Sequence, residues 1–363
     1  SREAVVDADS FSDLKKYMHV KREIQDVLEI ELQSLFKKTK GAVFLVGNVG
    51  DGKSHLLAFM KDKYDAEFES ANVDVVNDAT ESDRPDQTAI ETLLRKLEPF
   101  SDSMMYRGSE RLIMAINLGV ITNLLTELKK RGGYTRLVDY LTKSGVVTGE
   151  LSDYEDEFFS NVSFFNQRSF EIQNGQTNSP FYEEMFNRVF SKRENNPFYK
   201  AYKEDIQEQK ARVLHKNFEL MLDERIKKSV IYLLIRAQIE YKQIISARVL
   251  MNFMYDIVFT NREHITYDSY LPFLIFDNPE ASTLLDTISK LDPTSNQTKA
   301  IDELSIDLFH APNVLDIIEK RLGSSNYEQF EFLFNLFRDK EQIPRYFVVL
   351  VNTLLLSLIH ISE

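Results

Sequence analysis

Apolar positions along this chain change period several times, and the changes divide it into elements. From residue 11 to 39, Phe11, Leu14, Tyr17, Val20, Ile24, Val27, Leu28, Ile30, Leu32, Leu35 and Phe36 recur mostly at spacings of three and four, the period of one or two amphipathic helices. Ala42-Val43-Phe44-Leu45-Val46 then runs apolar without a break, as a strand buried on both faces does. A glycine-rich turn follows, and Leu56, Leu57, Phe59 and Met60 resume helical spacing. The stretch Val73 to Asp78 reads as a second strand with polar last residues, Thr88 to Leu97 as an amphipathic helix, and Leu112 to Ile116 as another apolar run, closed by Asn117. Residues 120 to 142 read as helix, a break at Gly132-Gly133, and helix again; Val162 to Phe165 reads as a short strand, and Asn174 to Pro180, with Gly175, as a loop.

From Phe181 onward the periodicity predicts helices alone. Within that tract Ile244 to Phe259 is strongly apolar with Arg248 embedded in it, and residues 262 to 363 are rich in aromatic side chains that suit a partner surface. Alternating strands and helices followed by a long helical stretch predict the α/β class: a parallel sheet flanked by helices, then an all-helical lid and a C-terminal helical region. The expected boundaries are 1–180 for a nucleotide-binding α/β domain, 181–262 for the lid and 263–363 for a helical partner-binding region.

Composition narrows the function classes. A formal net charge of −13 excludes a uniformly basic nucleic-acid-binding surface. The clusters Lys37-Lys38-Lys40 and Arg225-Lys227-Lys228 are expected to be solvated faces. The chain has no cysteine, which removes thiolate catalysis, disulfides and cysteine metal sites and agrees with a cytoplasmic setting. Its six histidines are scattered, without the paired spacing of a zinc hydrolase. Tyr346 to Ile361 is apolar but is interrupted by Asn352, Ser357 and His360 and is too short to span a bilayer, so no membrane association is expected. The opening Ser-Arg-Glu has no secretory signature, and both ends read as those of a fragment.

The candidate chemistry lies in the glycine turn. Gly47-Asn48-Val49-Gly50-Asp51-Gly52-Lys53-Ser54 has two glycines spaced and followed as in phosphate-binding loops, between an apolar strand and a helix. Glycines at 47, 50 and 52 let successive N–H groups turn toward a phosphate. Lys53 can reach the terminal phosphates, the Ser54 hydroxyl can ligate Mg²⁺, and the helix that continues through His55 points its positive end at the same anion. ATP with Mg²⁺ is the expected cofactor pair.

Further candidates sit at the other strand ends. Asp78 is placed as a metal-side carboxylate and Glu81 as a base for the attacking water, although Asn77 to Thr80 also suit a simple turn. Asn117 is placed to sense the γ-phosphate if its strand neighbours the loop strand; it also suits a helix N-cap. Arg131 or Arg136 could act as an arginine finger toward a neighbouring subunit, the alternative being a solvated helix end. Arg248 can contact a β- or γ-phosphate, the alternative being a surface arginine whose stem covers apolar area.

Together these residues resemble the AAA+ class of P-loop ATPases over roughly residues 1 to 260. More narrowly, GNVGDGKSHLL, VVNDATES, LIMAINLGV and ISARVLMNFMYDI are similar to the F-subunit family of the DNA phosphorothioation-dependent (Dpt or Dnd) restriction systems. The resemblance implies an ATPase component of a bacterial defence complex, working with other subunits that include a helicase-like ATPase. It implies contact with DNA chiefly through those partners, possible homo-oligomers, and sensor roles for Asn117 and Arg248. The Asp-Glu pair usual at the metal strand is absent, Asp78 being followed by Ala79. Either Asp78 and Glu81 divide its task, or the chain is a nucleotide-gated scaffold with little hydrolysis. The long helical tract argues against a small-molecule kinase.

Overall fold

The computed structural model describes residues 12–80, 88–149, 152, 154–167, 169–173, 176–210, 212–259 and 269–292, with parts of 303–328. Contacts divide the chain into two compact units, residues 1–168 with Ser246–Arg248, and residues 169–245 with 249–363.

The first unit is α/β. Helices α1 (Asp13–Met18) and α2 (Glu23–Lys37) lead into β1 (Gly41–Val46), followed by α3 (Lys53–Lys63), α4 (Asp65–Ser70), β2 (Val73–Val76), α5 (Ala89–Leu97), β3 (Arg111–Ile116), α6 (Leu118–Arg131), α7 (Thr135–Lys143) and β4 (Phe159–Ser163). The four strands form one parallel sheet in the order β2-β3-β1-β4. All six residues of the interior strand β1 are buried, which accounts for its unbroken apolar run. Alternate residues serve opposite cores. Phe44, Val46, Met114 and Ile116 meet Leu93, Leu97, Leu124 and Leu137 of α5, α6 and α7. Val43, Leu45, Ile113 and Ala115 meet Leu28, Leu32, Leu57 and Met60 of α2 and α3. The sheet is thus covered by helices on both faces. Helix α5 begins at a capping box in which Thr88 and Glu91 satisfy each other's main-chain N–H.

Several expected bounds move. The second strand stops at Val76, leaving Asn77 and Asp78 beyond it. The strand expected at Val162 to Phe165 is Phe159–Ser163, and Phe164 to Asn166 form a 3₁₀ turn. Its Ser160 and Asn161 break the apolar pattern because β4 is an edge strand and needs no apolar side chain there. Lys40 is not solvated: it is 5% exposed, donates to the Met104 carbonyl at 3.1 Å and pairs with Glu110 at 2.8 Å.

In the second unit β5 (Glu171–Gln173) pairs antiparallel with β6 (Gln176–Asn178), a strand within the loop expected at Asn174 to Pro180, while Asn174 and Gly175 lie outside the described residues. Helices α8 (Pro180–Val189), α9 (Pro197–Gln207), α10 (Val213–Met221), α11 (Glu224–Tyr241), α12 (Ala247–Asp256), α13 (Leu271–Phe276) and α14 (Thr283–Ser289) follow, with a further helix at Val314–Leu322. Helix α11 packs against α8, α10 and α14. Lys227, expected in solvent, is buried and donates to Asn187 Oδ1 at 2.7 Å and the Phe190 carbonyl at 3.0 Å. Buried Asn217 donates to the Val258 and Ser269 carbonyls and accepts from the Leu271 N–H, so its side chain ties α10 to the start of α13. Most of the tail 327–361, including the apolar stretch from Tyr346, lies outside the described residues. Among the described residues no helix is long and apolar enough to cross a membrane.

Candidate functional site

The loop Gly47–Ser54 leaves the carboxyl end of β1 and enters α3. Gly50 (φ +87°) and Gly52 (φ +98°) are in left-handed conformations that side-chain-bearing residues resist. Gly47 is required for a different reason: a Cβ there would stand 2.8 Å from Phe164 Cβ and 2.9 Å from Asp51 Oδ2. Asp51 braces the turn by accepting from the Asn48 N–H at 2.6 Å. Lys53 curls back and donates to the carbonyls of Gly47 at 2.9 Å and Asn48 at 2.7 Å. Among the described residues no acceptor meets the N–H groups of Gly50, Gly52, Lys53 or Ser54. Val49 is exposed at the tip.

Charge is concentrated around this loop. Burial pushes the Lys53 ammonium below its ordinary range, opposed by the carboxylates of Asp51 and Asp78, while the charge of Arg248 pushes it further down. Burial likewise raises Asp51, against the Asn48 N–H bond and the charges of Lys53 and Arg22. Arg22 donates to the Asp51 carbonyl at 2.9 Å and lies 4.8 Å over the Phe164 ring; burial lowers its pKa, against Asp51. Among the described residues, the cations Arg22, Lys53 and Arg248 and the carboxylates of Asp51 and Asp78 gather beside loop N–H groups that meet no acceptor. Main-chain N–H groups left open beside cations are the elements from which anion sites are built.

The neighbouring strand ends come close. Strand β3 pairs directly with β1, Val46 standing opposite Ile116, so the condition set for Asn117 is met. Its side chain nevertheless caps α6, accepting from the Val120 N–H at 2.9 Å. Ser54 Oγ donates to the Asn77 main-chain carbonyl at 3.0 Å. Asp78 is exposed, and its carboxylate accepts from the N–H and hydroxyl of Thr80 at 2.8 and 2.6 Å, the turn that competed with the metal role. Glu81 lies outside the described residues.

Arg248 is an exposed residue whose N–H donates to the Gly50 carbonyl at 3.2 Å; a Cβ on Gly50 would meet Ser246 Oγ at 2.8 Å. This segment therefore lies against the glycine loop. Arg136 is committed elsewhere, donating to Asp156 at 2.8 Å and lying 4.6 Å over Phe158, which accounts for it as a structural residue. Arg131 is exposed in the last turn of α6.

Next to the loop is a chain of side chains that the sequence did not reveal. His19 Nε2 stands 2.8 Å from Gln25 Oε1, and His19 Nδ1 stands 3.1 Å from His55 Nε2. With the amide oxygen as acceptor, His19 Nε2 carries a proton and donates to it. His19 also stacks on Phe59 at 3.8 Å. Burial, reinforced by the charges of His19, Arg22 and Lys15, pushes the His55 pKa down to about 4. His55 is therefore neutral at physiological pH. His55 and Asp51, the partners of His19 and Arg22, are 36 and 29 residues away in sequence, and no local spacing signals these contacts. Among the described residues no group of three or more His, Asp or Glu is arranged to hold a metal ion by itself.

Comparison with known proteins finds no matching family, curated protein or solved structure.

Proposed function

We propose that this chain is a P-loop protein of AAA+ type that binds ATP with Mg²⁺ on Gly47–His55. The observation that carries the reading is the loop itself: two left-handed glycines, four N–H groups that meet no acceptor among the described residues, and the ammonium of Lys53, all at the carboxyl edge of a parallel sheet. Lys53, released from the Gly47 and Asn48 carbonyls, serves the terminal phosphates. Arg248 and Asn117 serve as sensors of the γ-phosphate. The Ser54 hydroxyl and the acidic turn at Asp78 suit a hard cation, with Glu81 available to orient water. Mg²⁺, when bound, would supply charge neutralisation on the phosphates.

At the level of biology, we read the chain as the ATP-binding, ATP-hydrolysing subunit of a cytoplasmic DNA phosphorothioation-dependent restriction complex. It works with the other subunits, including a helicase-like ATPase, meets DNA through them, and is open to homo-oligomerisation. The support is the four sequence segments named above. The test is ATP binding and turnover by the chain and by Lys53→Ala, alone and with partner subunits and DNA. Binding by the wild type that is lost in the variant supports the reading; equal binding by both overturns it.

One observation favours a second reading, a nucleotide-gated scaffold without useful hydrolysis. The Asp78 carboxylate is engaged by Thr80 in its own turn, and a neutral Asn77 is the first polar residue after β2. Under this reading Lys53→Ala impairs assembly, whereas Glu81→Gln and Asn117→Ala leave restriction intact. Loss of restriction in those two variants counts against it.

A further inference from the structure

Strand β2 ends on Val76, so the first polar residue beyond it is Asn77 and the second is Asp78. The two differ in what already holds them. The Asp78 carboxylate accepts two hydrogen bonds from Thr80. Asn77 receives Ser54 Oγ on its main-chain carbonyl at 3.0 Å, which sets this residue against the hydroxyl that closes the phosphate-loop motif. Its side-chain oxygen is buried and has no hydrogen-bond partner among the described residues. A buried acceptor left without a donor is costly, so the residue calls for a donor from outside the chain.

Mg²⁺ carried by a nucleotide keeps several of its waters, and each is a polarised donor. P-loop NTPases commonly meet that hydration shell with an aspartate at the end of a neighbouring strand. We propose that the Asn77 amide oxygen fills this position here, accepting from a metal-bound water, so that the protein holds the metal–nucleotide complex with one carboxylate fewer. The inference rests on the ATP reading above and deepens it. An amide offers a dipole where a carboxylate offers a full charge, and hydrogen bonds to ionised acceptors are roughly twice as strong as neutral ones. ATP affinity in this protein is then only weakly dependent on Mg²⁺, and the dependence is set at residue 77.

Titration calorimetry of ATP onto the full chain, once with Mg²⁺ and once with EDTA, tests this in the wild type, Asn77→Asp and Asn77→Ala. Aspartate is isosteric with asparagine, and both substitutions keep the main-chain carbonyl that Ser54 uses; a thermal melt of each variant checks the fold. The measured quantity is the ratio of the two dissociation constants, EDTA over Mg²⁺. Asn77→Asp is expected to raise that ratio about tenfold, a change equivalent to about 1.4 kcal/mol. Asn77→Ala is expected to bring it close to one. A ratio unchanged from wild type in both folded variants overturns the assignment of Asn77 while leaving ATP binding standing. No ATP binding by the wild type in either buffer overturns the nucleotide reading and this inference with it.

Discussion

The loop end of β1 and the ends of β2 and β3 lie along one edge of the same sheet, yet they use their polar groups differently. At the β1 end, Asp51, Lys53 and Arg22 bond to main-chain atoms of the loop and shape it, leaving N–H groups free to face an anion. At the other two ends the side chains are spent on local backbone: Asp78 on the Thr80 turn, Asn117 on the cap of α6. The difference separates two properties often assumed together. A phosphate cradle is built into the main chain, whereas a group poised to activate water has to be held away from its own turn. On this edge the loop leaves N–H groups open, whereas the side chains of Asp78 and Asn117 are held in their own turn and cap.

The most direct way to break the comparison is Lys53→Ala. Removing the ammonium eliminates the charge nearest the terminal phosphates, and ATP affinity is expected to fall at least about a hundredfold, about 2.7 kcal/mol. Equilibrium binding checks it. Folding stability should change little, because Lys53 bonds only to loop carbonyls that water can satisfy.

A second prediction concerns pH. The His55 pKa lies near 4, below the ordinary value of 6.5. Between these values the unfolded chain binds a proton that the folded chain excludes, so stability is full above about pH 6.5 and declines as pH falls toward 4. The full shift corresponds to about 3 kcal/mol. Melting temperature against pH should flatten over this range in His55→Gln; an unchanged slope would assign the acid sensitivity to other groups.

What the sequence displayed and what it concealed follow the range of the interactions. Ala42 to Met60 were legible because a buried strand, a glycine turn and a helix are each set by neighbours a few residues away. The helix expected over Thr88 to Leu97 was legible for the same reason. Lys40 and Lys227 read as surface charge because their burial depends on distant carbonyls converging on the ammonium. The pairing of His19 with His55, and of Arg22 with the Asp51 carbonyl, depends on where α1 and α2 pack against α3, which periodicity does not fix. In Val75-Val76-Asn77-Asp78 the strand end could be drawn after any of the last three residues. That one-residue choice decides whether Asn77 or Asp78 stands beside Ser54.

Asp51→Ala tests the loop side more gently. It deletes the acceptor of the Asn48 N–H and a carboxylate whose charge acts on both Lys53 and Arg22. The loss is expected to be about 1–3 kcal/mol of stability, the cost of a partly buried donor left alone. Chemical denaturation measures it. Because a buried negative charge leaves the site, ATP affinity should fall less than stability does. A loss of binding as large as that of Lys53→Ala would mean that Asp51, and not the lysine, organises the cradle.

The smallest effect is the most discriminating for the strand ends. Asn117→Ala removes the cap of α6 and should cost about 1 kcal/mol, a typical value for an N-cap. Asn117→Ser separates the two roles, since serine caps helices about as well as asparagine but is too short to present an amide to a phosphate. Stability is expected to be lost in the alanine variant and recovered in the serine variant. ATP turnover is expected to be reduced in both, which assigns the amide to the nucleotide as well as to the helix. If serine restores turnover together with stability, Asn117 is a cap alone, and the contrast between the cradle of β1 and the locally engaged ends of its neighbours becomes sharper still.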